Sequence, residues 1–176
     1  INHTKVLDYD SDWVKEYENE KELILDTLGE ENIEGIEHIG STSIPNLCAK
    51  PIIDIAILIE SFNNVSKIIP KLEDVGYEFD EESHNKFNPT GKSERHLLRK
   101  GNPYKYHLSI AYKDRGGFWK RMITFRDFLR GNEEYRNKYG ELKKELIKED
   151  PTGNNTYVGD KTDLVMEILD KAGFEK

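Results

Sequence analysis

Gly40 and Ser41 open a run of hydroxyl residues, Ser41, Thr42 and Ser43, and thirteen residues after Ser41 an aspartate, Asp54, interrupts an apolar run. A carboxylate there is costly unless something engages it. One use is catalytic. Mg²⁺ bridges phosphate oxygens and lowers the charge on a triphosphate, and carboxylates hold it. Two carboxylates two residues apart on a strand share a face and grip one ion together. Here the second position is Ala56. The other use is structural, with Asp54 satisfied by Lys50 or by backbone amides. The Gly-Ser turn has the same two readings. At the start of a helix its amides, with the hydroxyls of Ser41 and Thr42, hold phosphate oxygens, and Gly40 admits a close approach. Otherwise it is an ordinary capped turn.

Other polar residues bear on the same site. Alternation along the strand from Tyr104 puts Lys105, His107, Ser109, Ala111 and Lys113 on one face and Tyr104, Tyr106, Leu108, Ile110 and Tyr112 on the other. His107 is then a base, a metal ligand, a phosphate partner or a hydrogen-bonded structural histidine, and Lys105 a substrate contact. His38 flanks the turn. Lys50 either contacts phosphate or pairs with Asp54. Glu60 shares the face of Asp54 but lies about 20 Å along the strand. Glu37, on the preceding strand, is the better substitute for the missing carboxylate. Arg126 and Asp127 form an internal ion pair or contact a ligand. Tyr157 and Lys161, one helical turn apart, face a cleft or solvent.

The elements that must position these residues follow from periodicity. Trp13, Tyr17, Ile24 and Leu28 recur at helical spacing over 11–28, with Asp10 or Ser11 as cap and Gly29 as stop. Residues 33–39 read as a strand. Residues 51–59 form a β-branched run of the kind that is covered on both faces. Residues 65–77 suit a helix, which Pro70 is expected to kink or break. Turn formers over 81–93 predict a mobile loop. Strands follow at 94–100 and 104–112. After Asp114 only helical patterns remain, one of them capped by Asn132. We therefore expect an α/β domain over 1–113 and a helical region over 114–176 packed against it. Strands 33–39, 51–59 and 104–112 are expected to share one sheet, with Asp54 and His107 in one cleft.

Composition bounds the function. The chain has 176 residues, 36% hydrophobic and 34% charged, with a formal net charge of −8. It can bury a real core. The negative charge disfavours a broad grip on nucleic acid. Arg95, Arg99, Lys100, Lys105 and Lys113 still leave room for a local basic pocket. The one cysteine, Cys48, reads as a buried thiol and fits a reducing compartment. No segment has the roughly 20 apolar residues of a membrane helix, and the first ten residues do not read as a signal peptide. The expected location is cytoplasmic.

The segment IEHIGSTSIPNLCAKPIIDI closely resembles the signature of the GrpB family. The likeness extends to VLDYDSDWVKEYENEK, HLLRKGNPYKYHLSI and FRDFLRGNEEYRNKYGELKKEL, nearly the whole chain. The resemblance implies a nucleotidyltransferase-like mixed sheet with flanking helices and a C-terminal helical region that closes over a base. It also hints at nucleotide or coenzyme chemistry, since some relatives carry a dephospho-CoA kinase domain. Gly40, Ser41 and Asp54 match the nucleotidyltransferase pattern. Three positions depart from expectation: Ala56 replaces the second carboxylate, Asn46 a frequent glycine, and Ser109 a frequent histidine. The resemblance implies Mg²⁺-dependent transfer of a nucleotidyl group from a nucleoside triphosphate to a small acceptor. Asp54 would hold the metal, and Gly40, Ser41, Thr42, Lys50, Lys105 and Lys161 would contact phosphate or substrate. Ala56 favours a second reading, a non-catalytic nucleotide or phosphate binder. A third is a structural or partner-binding domain.

Overall fold

The computed structural model describes residues 5–149 and 157–174, without the side chains of 157–160. Helix α1 (Asp12–Leu28) begins where the Asp10 carboxylate accepts the Asp12 N–H at 2.9 Å, and it ends at Gly29, whose φ of 83° few other residues tolerate. Strand β1 (Gly35–Ile39), a 3₁₀ turn (Ser41–Ser43) and strand β2 (Ile53–Ile59) follow. Next come α2 (Val65–Glu73), β3 (Tyr77–Phe79), α3 (Glu81–Phe87), β4 (Arg95–Lys100) and β5 (Tyr106–Tyr112). Helices α4 (Phe118–Gly131), α5 (Glu133–Glu149) and α6 (Tyr157–Lys171) complete the described chain.

The five strands form one mixed sheet in the order β1-β2-β5-β4-β3. β2 and β5 are parallel, and the other pairs are antiparallel. Ile53, Ile55, Ile57 and Ile59 all point to one face, where they meet Trp13 and Ile24 of α1, Leu72 of α2 and Leu108 and Ile110 of β5. Burying each such side chain is worth about 1.5–3 kcal/mol. The opposite face is half closed. Phe118, Trp119 and Met122 of α4 cover Ile39, Ala56, Leu58 and Ala111. A third cluster joins α4, α5 and α6 to Ile44 and Leu47, just beyond the 3₁₀ turn.

Two local expectations need correction. Of the kink or break expected at Pro70, the break does not occur, since helix α2 continues through it to Glu73. Pro70 and Ser66 both lie on the exposed side of α2, where a carbonyl without its amide donor costs least, while Ile68 and Leu72 hold the helix to the core. The segment 81–93 is no structureless loop either. Asp80 caps α3 by accepting the Ser83 N–H at 3.0 Å, and His84 stacks on His96 of β4 with ring centroids 4.1 Å apart. A capping residue hidden among turn formers is easily read as part of a loop.

Candidate functional site

Parity in the sheet decides which side chains meet. Across one row, Ile39, Asp54, His107, Arg99 and Glu78 are successive Cα partners on β1, β2, β5, β4 and β3, so all five project to the half-closed face. The Asp54 Oδ1 lies 3.6 Å from the His107 Nδ1. Both line a cavity of about 240 Å³, together with Ser41, Thr42, Ala49, Lys50, Ile52, Lys143 and Lys161. The geometry thus gathers Ser41, Thr42, Lys50, Asp54, His107 and Lys161 from separate elements. Lys105 is the exception. It precedes β5, escapes the alternation, and pairs with Glu16 of α1 at 2.9 Å.

Gly40 serves Asp54 directly. Its φ is 71°, and a Cβ there would stand 2.5 Å from the Asp54 Oδ2, so no other residue leaves the carboxylate in place. The close approach expected for a ligand is therefore made by this aspartate. Asn46 is the one non-glycine residue with positive φ among those described (68°). Asparagine tolerates that region better than most residues, which explains the departure from glycine there.

The turn is clamped from the helical side. Arg126 donates to the Glu37 carboxylate at 2.7 Å, to the His38 carbonyl at 2.9 Å and to Asp127 at 2.9 Å. Arg130 donates twice to the Ser43 carbonyl, at 2.9 and 2.8 Å. These contacts make FRDFLR an anchoring segment. They also engage Glu37, whose Cα partner is Ala56. Ala56 itself is 0% exposed, against Ile39 and Phe118. Mg²⁺ demands near-octahedral oxygen ligands, and the described residues contain no cluster of three or more His, Cys, Asp or Glu that would hold an ion. Among the described residues the cavity offers Asp54 as its one carboxylate, with His107 beside it, so a divalent ion held there would take most of its oxygen ligands from a bound phosphate chain and from water.

Lys143 is the residue the sequence reading missed. It is 2% exposed, and its Nζ donates to the Cys48 carbonyl at 2.7 Å. Burial, with the nearby charge of Lys161, pulls its amine down to about 7. Its signal was its place at a core position of α5, between Tyr139 and Leu146. Lys50 is also held below the usual lysine range, by burial first and Lys161 second.

His38 is buried, stacked on Tyr17 with centroids 4.7 Å apart, and its Nε2 lies 2.9 Å from the Thr42 Oγ1. The Thr42 hydroxyl, a cavity-lining group expected to contact phosphate, thus shares one hydrogen bond with His38. Burial pushes the His38 ring down to about 4, against the opposing pull of Asp54. Between that value and the ordinary 6.5 the unfolded chain binds a proton that the native state refuses, so stability falls as pH drops through this window. His38→Gln is expected to remove about 2 kcal/mol of the loss between pH 7 and pH 4.5. Urea denaturation of both proteins at pH 7 and pH 4.5 checks this, and equal losses in the two would contradict it.

A mixed α/β sheet bearing a small cationic cavity beside a Gly-Ser turn is the class of protein defined so far. The chain belongs to the GrpB family: the family model described as GrpB protein matches residues 3–171. The crystal structure of the conserved protein GrpB from Enterococcus faecalis superposes with a TM-score of 0.80 at 35% identity, covering 95% of this chain and 98% of that one. A UPF0157 protein of Halalkalibacterium halodurans is 33% identical over 167 residues, 95% of this chain and 81% of that protein. The UPF0157 protein YqkA of Bacillus subtilis is 32% identical over 172 residues, and this chain spans only 47% of its length. A Cid1 structure with the UTP analogue UMPNPP shares 10% identity at a TM-score of 0.41, too slight a likeness to bear on activity. Among the described residues no helix is long and apolar enough to cross a membrane.

Proposed function

We propose that the cavity at the Gly-Ser turn binds the phosphate chain of a nucleotide. The observation that carries this reading is the buried amine of Lys143 on the cavity wall beside Lys50 and Lys161, with Asp54 the one carboxylate in the described lining. Keeping Lys143 buried beside Lys50 and Lys161 is unfavourable for the fold, and a bound polyanion relieves it. The volume of about 240 Å³ lies below the roughly 300 Å³ at which small-molecule pockets begin. It suits a di- or triphosphate whose nucleoside lies outside. This is the binder reading, in which the missing second carboxylate is no defect.

One observation favours transfer as a second reading. The His107–Asp54 pair opens on the same cavity, so His107 can accept the proton of an acceptor hydroxyl while Asp54 orients its ring. The acceptor oxygen would bond to the α-phosphorus, the bridging oxygen would leave with pyrophosphate, and the proton would pass to His107.

Thermal shift with ATP, UTP, CTP and GTP, each with and without Mg²⁺, tests the binding. At a hundred times the dissociation constant a ligand specific to the folded state adds about 2.7 kcal/mol. The expected result is a shift that survives removal of Mg²⁺ and weakens at high salt. No shift with any nucleotide would sink the proposal. Release of pyrophosphate, lost in His107→Gln with nucleotide affinity retained, would establish the transfer reading over simple binding.

A further inference from the structure

A second cavity lies beyond His107 on the same sheet face, between α3, β4 and the start of α4. Its volume is about 460 Å³, within the range of small-molecule sites. Arg95, Arg99, Lys92 and Arg121 line it, against Asp80 and Glu94. That surplus of positive charge sits in a chain of net charge −8.

The two carboxylates are already committed. Glu94 takes Arg121 at 2.8 Å, and Asp80 caps α3. The lysines of the basic stretch are committed too: Lys100 pairs with Glu20 at 2.6 Å, Lys105 with Glu16 at 2.9 Å and Lys113 with Glu34 at 3.4 Å. The arginines differ. Arg95 donates to the Ser109 hydroxyl at 2.8 Å and stacks 4.7 Å from the Phe118 ring centre. Arg99 lies 5.8 Å from the Tyr104 ring centre. Among the described residues, no carboxylate forms an ion pair with Arg95, Arg99 or Lys92. Guanidinium groups set into a concave, partly apolar wall are suited to multiply charged oxyanions, which they bind through paired N–H donors. Phe87, 76% exposed, adds an apolar rim.

We propose that this second cavity binds a small organic anion bearing a phosphate or several carboxylates, with Arg99 and Arg95 as the groups that hold its charge. Arg99 is the Cα partner of His107, which is the Cα partner of Asp54. Two strand spacings, about 10 Å, therefore separate the arginine row from Asp54. A molecule anchored at Arg99 extends its other end toward the His107–Asp54 pair.

Glycerol 3-phosphate and citrate serve as probes of the two anion chemistries. Each is titrated into the full chain at low salt, with calorimetry for affinity and the His84 ring resonances for location, since His84 lines this cavity and not the first. The expected result is saturable millimolar or tighter binding of at least one probe, with His84 resonances moving on the same curve. Arg99→Gln should weaken it about tenfold or more. The exposed Lys92→Gln should weaken it several-fold, and it serves as the test if Arg99→Gln does not fold. Lys143→Met, in the first cavity, should leave it unchanged. Failure of both probes to saturate would overturn the inference. So would binding that ignores Arg99→Gln and Lys92→Gln but is lost in Lys143→Met. Nucleotide binding, measured separately, is expected to survive Arg99→Gln, so this site and the nucleotide site stand or fall apart.

Discussion

Aspartate in place of Ala56 is expected to lower folding stability by roughly 3 kcal/mol or more and to add no Mg²⁺ affinity. Ala56 has no solvent exposure, and Ile39 and Phe118 pack around it. Two costs add at this position. Extra side-chain volume in a filled space costs about 1–3 kcal/mol. A carboxylate taken out of water costs several more unless it is paired. The Arg95 guanidinium, on the Ser109 hydroxyl next to this position, offsets only part of that. Ala56→Val separates the terms, since it adds similar volume without charge. The charged variant should be the less stable at pH 7, and the gap should narrow as pH falls and the introduced carboxyl takes up a proton. Denaturation curves and calorimetric Mg²⁺ titrations of both variants decide. A gain in Mg²⁺ affinity without loss of stability would restore the two-carboxylate metal site.

Lys143→Met should have the opposite effect on stability and a large effect on binding. The folded amine is pulled from 10.5 to about 7. Below pH 7 both states are protonated and the native state bears the full cost of a buried ammonium. As pH rises from 7 toward 10.5 the unfolded chain keeps its proton and the native state sheds it, so wild-type stability climbs by about 5 kcal/mol at most across that window. Methionine has no such slope. The variant should therefore be more stable by a few kcal/mol near pH 6–7, less about 1 kcal/mol for the donor lost to the Cys48 carbonyl. Polyphosphate affinity should fall by tenfold or more, because a buried cation is removed from the cavity. In the wild type that affinity should also weaken as pH rises past 7, and in the variant this dependence should be absent. Isothermal titration of ATP over pH 6–9, paired with urea melts, reads both effects. A variant that is less stable at every pH and binds ATP as before would make Lys143 a structural residue.

Stabilisation and lost binding in one variant would mark a trade between fold and function at this cavity. His38 contrasts with it. His38 is also buried and held neutral, but its Nε2 is matched by Thr42 and its ring by Tyr17, so its burial supports the turn. Among the described residues the Lys143 ammonium, which has three donors, makes one hydrogen bond, to the Cys48 carbonyl.

Periodicity alone determined the large elements. Helical spacing of Trp13, Tyr17, Ile24 and Leu28 marks α1, and the isoleucines of 53–59 mark the strand at the sheet's centre, because burial repeats with the geometry of each element. The same alternation assigned Asp54 and His107 to polar faces, and the parallel register of β2 and β5 set them side by side. Short-range rules were less reliable where tertiary contacts compensate, as at Pro70, which the core overrides, and over 81–93, where the stack of His84 on His96 holds a helix that turn formers disguise. Only the tertiary structure decided what the charged residues do. Glu37 looked free to replace the missing carboxylate, and Arg126, 89 residues away, occupies it. Lys105 looked like a site residue and is spent on Glu16. Lys143 looked like one more lysine of a charged helix and lies buried at the cavity. A side chain's type fixes what charge it carries. Its partner is fixed by packing between distant segments, and for ionisable groups the partner decides both protonation and role.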